Sequence, residues 1–223
     1  MLQYDGPVIR YLSKIGDLII LNVLWLICCI PLVTAGPATA AAHYVALKYV
    51  RDEGTSVARM FVLAFRQNLR QGIVVGIAAQ VIGSVLVLDL WLILTGKITF
   101  SPEIRLLLLA LLWLFLFLYI MLMIYVWAVM ARFDNTIKRT VFNAAVLAIA
   151  NIRSTIMMVC WDVSLAVAAV VCIAFVPQLG MLCLIFGVPV LFVLNATRLR
   201  PILDRCVTGE AEPDSEVRHP EVA

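Results

Sequence analysis

Asp89 and Asp162 stand inside long apolar stretches, and His43 stands alone in an alanine-rich segment. A carboxylate placed in hydrocarbon loses its hydration, so an acid held there is by default a candidate for handling an ion, a proton or a polar solute. The two acids differ in depth: Asp89 lies near one end of its stretch, and Asp162 lies roughly two turns from the opposite end of another. They therefore do not form a carboxylate pair for acid–base work or for a shared metal. The less demanding reading lets Asp89 reach an interface and gives Asp162 a structural partner. His43, the only histidine outside the tail, reads as a buried, hydrogen-bonded ring rather than a titrating one.

No nucleophile accompanies these groups. The chain has no HExxH, no Gly-rich phosphate loop, and no serine or cysteine with a histidine in reach by spacing, so an enzyme is not expected and no cofactor is implied. Cys28, Cys29, Cys160, Cys172, Cys183 and Cys206 show no CxxC spacing. Zinc needs clustered ligands, so no metal is expected, and the cysteines read as small core hydrophobes. The basic residues border apolar stretches instead of forming a patch, which argues against nucleic acid.

The elements that must position these residues are helices in lipid. Hydrophobic residues make up 64% of the 223 and charged ones 14%, against a charged fraction of about 25% in soluble domains. The expected fold is all-α, a polytopic transmembrane bundle with five long spans: Leu18 to Thr34, Gly72 to Thr95, Leu106 to Met130, Ile156 to Val176 and Leu179 to Ala196. Residues 1–205 form one transmembrane domain, and 206–223 an acidic, proline-bearing tail expected to be disordered. The first apolar run is not read as a cleaved leader, because Asp5 and Asp17 precede or enter it and Trp25 and Pro31 interrupt it.

The stretch NVLWLICCIPLVTAGPATAA, Asn22 to Ala41, organises the rest. Pro31, Thr34, Gly36 and Pro37 break an apolar helix, which restarts at once as a short alanine-rich one. Proline removes a donor and clashes with the preceding turn, and such a break survives in a bilayer only where protein or a wet cavity covers the freed groups. A buried helical hairpin is expected, with Asn22 and Thr34 answering the disrupted backbone.

Positive-inside counting puts the 48–70 loop, the 132–153 loop and the C-terminus in the cytoplasm. With five spans, 13 of the 17 basic residues are cytoplasmic; if the segment 37–50 also crosses, there are six spans and 15 of 17. The count favours six, although 14 residues make only about 21 Å of helix. A short internal repeat leans the same way: Asn68-Leu69-Arg70 and Asn151-Ile152-Arg153 each precede a span and follow an amphipathic cytoplasmic segment suited to an anionic membrane surface. Gly72, Gly76, Ala79 and Gly83 make a small-residue face that invites close helix approach, whereas the span 106–130 is bulky on all sides and suits lipid. In the loop Arg132-Phe133-Asp134-Asn135-Thr136, Asp134 or Asn135 can cap a helix containing Asn143, and the same loop offers a docking surface.

Asn22, Leu24, Trp25, Pro31, Thr34, Gly36, Pro37 and Ala38, then Phe65-Arg66-Gln67-Asn68, then Arg132 to Thr136 with Asn143-Ala144, resemble the YesL-like family of bacterial membrane proteins, from about Ile15 to Arg200. The resemblance implies a multi-pass protein of the bacterial cell membrane, encoded beside carbohydrate-import ABC transporters and polysaccharide-degrading enzymes. The EAA-type loop by which permeases dock their ATPase is missing, so the expected role is a non-enzymatic accessory protein of oligosaccharide import or its regulation. Its partners would be the lipid bilayer with transporter subunits or a homo-oligomer, reached through the glycine face and the basic cytoplasmic helices. The alternative is a small transporter or channel whose path the broken hairpin and Asp162 line.

Overall fold

A computed structural model describes residues 7–53, 56–97 and 100–209. Within them all regular structure is helical: α1 (Pro7–Cys29), a 3-10 turn (Leu32–Thr34), α2 (Ala35–Val50), α3 (Val57–Leu94), α4 (Pro102–Arg132), α5 (Ile137–Ala150), α6 (Ile152–Phe175) and α7 (Pro177–Gly209). The last helix carries the chain on through Cys206 to Gly209, four residues into the segment expected to be disordered. The remainder of that tail lies outside the described residues.

Four helices among the described residues are long and apolar enough to cross a membrane: α3, α4, α6 and residues 178–206 of α7. The fifth expected span is not among them. Arg10, Lys14 and Asp17 occupy the first half of α1 and the helix stops at Cys29, so its uncharged part, Leu18 to Cys29, is only about 18 Å long. The returning arm α2 has 16 residues, about 24 Å, again short of the ~30 Å hydrocarbon layer.

Pro31 ends the first arm in extended conformation, φ −78°, ψ 111°. Pro37 is the third residue of α2, where the missing N–H has no intrahelical acceptor to lose. The break is not buried as the sequence suggested. Ile30 and Leu32 are 79% and 72% exposed at its tip, and what is sheltered is the backbone. The Thr34 hydroxyl donates to the Cys28 carbonyl at 2.6 Å, with the Pro31 carbonyl 2.9 Å away, and Gln80 of α3 donates to the Leu32 carbonyl at 2.6 Å. Two polar side chains thus replace the missing helical bonds, and the apolar tip is left free to face acyl chains.

Helix α2 is the centre of the molecule. Ala38, Ala40, Ala41, Ala42, Val45 and Ala46 are all buried, and α2 touches α1, α3, α4 and α7. Small residues permit this crowding. A Cβ on Gly36 would collide with the Gly72 carbonyl, one on Gly72 would lie 2.8 Å from Pro37, and one on Gly76 3.0 Å from the Gly36 Cα. Gly83, a turn and more further along, makes room for the Tyr119 ring, whose hydroxyl donates to the Ala79 carbonyl at 2.9 Å. The glycine face of α3 is therefore filled from within the chain by α2 and Tyr119, and it cannot serve as the docking face that the sequence reading gave it.

The two amphipathic segments fold differently despite their shared Asn-x-Arg. Asn68 donates to the Ala64 carbonyl at 2.9 Å and α3 continues unbroken for 38 residues. Asn151 donates to the Leu147 carbonyl at 3.1 Å, yet the helix breaks there, at φ −116°, ψ 42°. The residue four positions on decides it. Gly72 packs against Pro37, whereas the Thr155 hydroxyl lies 2.8 Å from the Ala148 carbonyl, 3.0 Å from that of Asn151 and 3.0 Å from the Tyr125 hydroxyl. Side-chain bonds of this kind compete with the helical ladder.

The ion pairs among the described residues collect at one end of the bundle. Lys14 pairs with Asp52 at 3.0 Å and Lys48 with Glu53 at 2.9 Å. Asp204 of α7 receives Arg51 from the end of α2, Arg132 from the end of α4 at 3.2 Å, and Arg200 at 3.7 Å. Arg200 also donates to the Val50 carbonyl at 3.2 Å. Both ends of the α1–α2 hairpin and the ends of α4 and α7 are tied together there, while the side of the bundle is lined by exposed leucines, valines and aromatics, Leu106, Leu107, Trp113 and Phe115 among them.

Candidate functional site

A cleft of about 380 Å³ opens beside the broken hairpin, between α2, α3, α4, α6 and α7. Its walls are mostly apolar, with Ile120, Met123, Ile124, Val188 and Leu191, and with Tyr119, Trp127 and Phe192 as aromatic faces. The polar groups on it are Thr39, His43, Gln80, Asp162 and Asn195. Thr39 and Gln80 are already used: the Thr39 hydroxyl donates to the Ala35 carbonyl at 2.8 Å and receives the Trp25 indole N–H at 3.3 Å, and Gln80 holds the hairpin tip.

Asp162 accepts a hydrogen bond from the Asn195 amide at 3.0 Å. That bond fixes the amide's orientation, because a carboxylate accepts and only the NH₂ side can donate. The Asn195 Oδ1 is then left buried without a partner, and so is the His43 Nδ1; both residues are 4% exposed. The His43 ring stands edge-on to Phe192, 5.1 Å between centroids, and Phe192 and Asn195 are three residues apart on one face of α7. A carboxylate and two unanswered buried polar atoms thus belong to residues lining the same cleft.

Asn22 has a separate task. Its amide donates to the Ile185 carbonyl at 2.6 Å. Pro189 sits inside α7, four residues on, and has no N–H to give that carbonyl. Asn22 therefore repairs α7 and not the hairpin break assigned to it from sequence, which falls to Thr34 and Gln80. Trp25 packs edge-on to Phe192, 5.8 Å between centroids. Gly36 lines the cleft because nothing larger fits against α3. Asp89 and Asn68 do not line the cleft.

The polar loop gathers elsewhere. Phe133, Asp134, Asn135, Phe142, Asn143, Val146, Leu147 and Cys206 surround a second groove, of about 450 Å³, at the charged end of the bundle. The capping role read for Asp134 or Asn135 is not made: α5 begins after Thr136, with no side-chain cap bond, and the Asn135 N–H turns back to the Phe133 carbonyl at 3.0 Å. Arg132 joins the Asp204 cluster instead of the groove.

Sequence reasoning missed Gln80, Tyr119 and Asn195. An asparagine inside the last apolar span and a glutamine inside α3 were the available signals, since each sets a hydrogen-bonding demand that lipid cannot meet; Pro189 in the last span reads from sequence as a bend, and the structure adds the donor it calls for, Asn22. Among the described residues no three histidine, cysteine, aspartate or glutamate side chains gather to hold a metal ion.

The fold and the cleft define an all-α membrane protein. The family model described as "Protein of unknown function, DUF624" matches residues 18–90, which span the hairpin and most of α3, with Gly36, His43, Gly72, Gly76 and Gln80 inside the match and Asp162 and Asn195 beyond it. No curated protein matches the chain, and no solved structure does.

Proposed function

We propose that the chain is a YesL-like, non-enzymatic, multi-pass protein of the bacterial cell membrane that serves oligosaccharide import as an accessory subunit. The single observation that supports this reading is the second groove. Asp134, Asn135 and Asn143, from the motif that carried the resemblance, come together there with an exposed Phe142 at the charged end of the bundle. A polar rim around an aromatic anchor is how protein partners are commonly held. The positive-inside bias makes that end cytoplasmic; the hairpin then enters and leaves on that side, and the N- and C-terminal ends share it. Gentle-detergent purification from native membranes recovers transporter subunits, and Phe142→Glu lowers that recovery without altering the protein's own elution. A partner-free sample rejects the reading.

The cleft favours a second reading, a small transporter in its own right, because an interrupted helix beside a polar intramembrane site is the arrangement of many carriers. Uptake into vesicles that is lost in Asp162→Asn supports it; uptake that this substitution leaves untouched, or none at all in the parent protein, removes it.

A further inference from the structure

We propose that the cleft beside the hairpin binds a small organic cation with an apolar body, its N–H-bearing head seated against Asp162. The Asp162 carboxylate, the Asn195 Oδ1 and a ring nitrogen of His43 belong to residues that line this cleft. The Asp162 carboxylate has Asn195 as its donor, the Asn195 Oδ1 has no partner, and the buried His43 Nδ1 has none either. Buried polar atoms left unanswered cost free energy, and a ligand that these side chains turn to meet recovers it. No lysine or arginine is among the residues lining the cleft, so the ionised form of Asp162 has no protein cation there to balance it, and a cationic ligand does what a neutral donor cannot.

The remaining walls select the rest of the molecule. Trp127, Phe192 and Tyr119 present ring faces and edges, to which an ammonium is attracted electrostatically. Ile120, Met123, Ile124, Val188 and Leu191 make much of the remaining lining apolar. A sugar, ringed with hydroxyls, would bury most of them unpaired against these side chains; an aryl- or alkylammonium buries its carbon body there and pairs its one charged head. The volume, about 380 Å³, falls within the range of small-molecule sites.

This inference rests on the cleft being a ligand site and not on the accessory reading. Equilibrium binding separates it from transport: a cation that binds but is not taken up removes the carrier reading alone. The test is calorimetry on the full chain in phosphatidylcholine nanodiscs, with empty discs as baseline. The probes are 2-phenylethylammonium, its neutral counterpart 2-phenylethanol, the anion 3-phenylpropionate, and maltose. The ammonium binds about tenfold or more tightly than the alcohol, the worth of one charge-assisted hydrogen bond, and neither the anion nor maltose displaces it. No binding, equal affinity for ammonium and alcohol, or displacement by maltose overturns the proposal on the wild-type protein alone. Asp162→Asn weakens the ammonium about tenfold and leaves the alcohol unchanged, and an unchanged ammonium affinity overturns it. If that variant is not recovered folded, Leu191→Trp, which fills the cleft and leaves the carboxylate in place, abolishes ammonium binding; retained affinity refutes the site.

Discussion

Asn22 of α1 donates its amide to the carbonyl of Ile185 in α7, the acceptor that Pro189 leaves without a helical donor. One side chain from the leading helix thereby compensates a proline 167 positions later in the sequence, and a defect in one apolar helix becomes a tether between two. Replacing Asn22 with Leu strands the Ile185 carbonyl in an apolar setting, at a cost of about 1–3 kcal/mol. Thermal unfolding in detergent reads the loss. Pro189→Ala in the same background returns the N–H, and the double variant recovers stability relative to Asn22→Leu; a cost independent of Pro189 would show that Asn22 acts otherwise.

Gly36 and Gly72 meet backbone to backbone. Gly72→Val forces its branched side chain into Pro37, and Gly36→Ala meets the Gly72 carbonyl. Neither neighbour is a flexible side-chain end, so the helices must part. Both variants lose about 1–3 kcal/mol or more, seen as a lower melting temperature and reduced yield. Gly16→Ala, with nothing within 4 Å of the added methyl inside α1, is the control: it loses no stability and gains up to about 1 kcal/mol from helix propensity.

How far the chain announces this structure differs from element to element. The four long apolar helices were legible because length and hydropathy alone define them. The break at Pro31 and the close helix approach at Gly72 and Gly76 were legible too, since proline and glycine restrict backbone and volume whatever surrounds them; Gly36 and Pro37, read as part of the break, instead lie inside α2. What escaped was partnership. A GxxxG face asks for a close neighbour without saying whether it is α2 of the same chain or another protein. Asn22 sits near Pro31 in sequence and serves Pro189, because the donor goes to the carbonyl the fold brings near. The cleft depended on the same unseen pairings: Asp162 stood out as an acid in an apolar stretch, whereas Asn195 became informative only once α6 and α7 lay side by side.

Thr155 holds the bend between α5 and α6 through oxygens of Tyr125, Ala148 and Asn151. Thr155→Val keeps the shape and deletes the hydroxyl, leaving the buried Tyr125 hydroxyl without this partner. The expected loss is about 1–3 kcal/mol, and Tyr125→Phe added to it costs little more, because the two hydroxyls act as one pair. Additive losses in the double-mutant cycle would dissolve that pairing.

The ion pairs at the charged end give the protein its response to acid and salt. Lys48 donates to Glu53 and holds its carboxyl below the ordinary carboxylate range. A folded-state pKa below the unfolded one stabilises above the unfolded value, and that contribution disappears as pH falls through the lowered one. Glu53 is exposed, so the effect is small and screened by salt. Asp204 is the heavier link, since Arg51, Arg132 and Arg200 all converge on it. Asp204→Asn removes the shared anion from between three guanidinium groups and lets the ends of α2, α4 and α7 repel one another. Its melting temperature falls at low ionic strength and partly recovers in high salt, where the repulsion is screened. Glu53→Gln changes little at neutral pH and flattens the acid arm of the stability profile. Unfolding followed between about pH 3 and 7 at two salt concentrations checks both, and an Asp204→Asn deficit that high salt does not relieve would assign that residue a packing role instead.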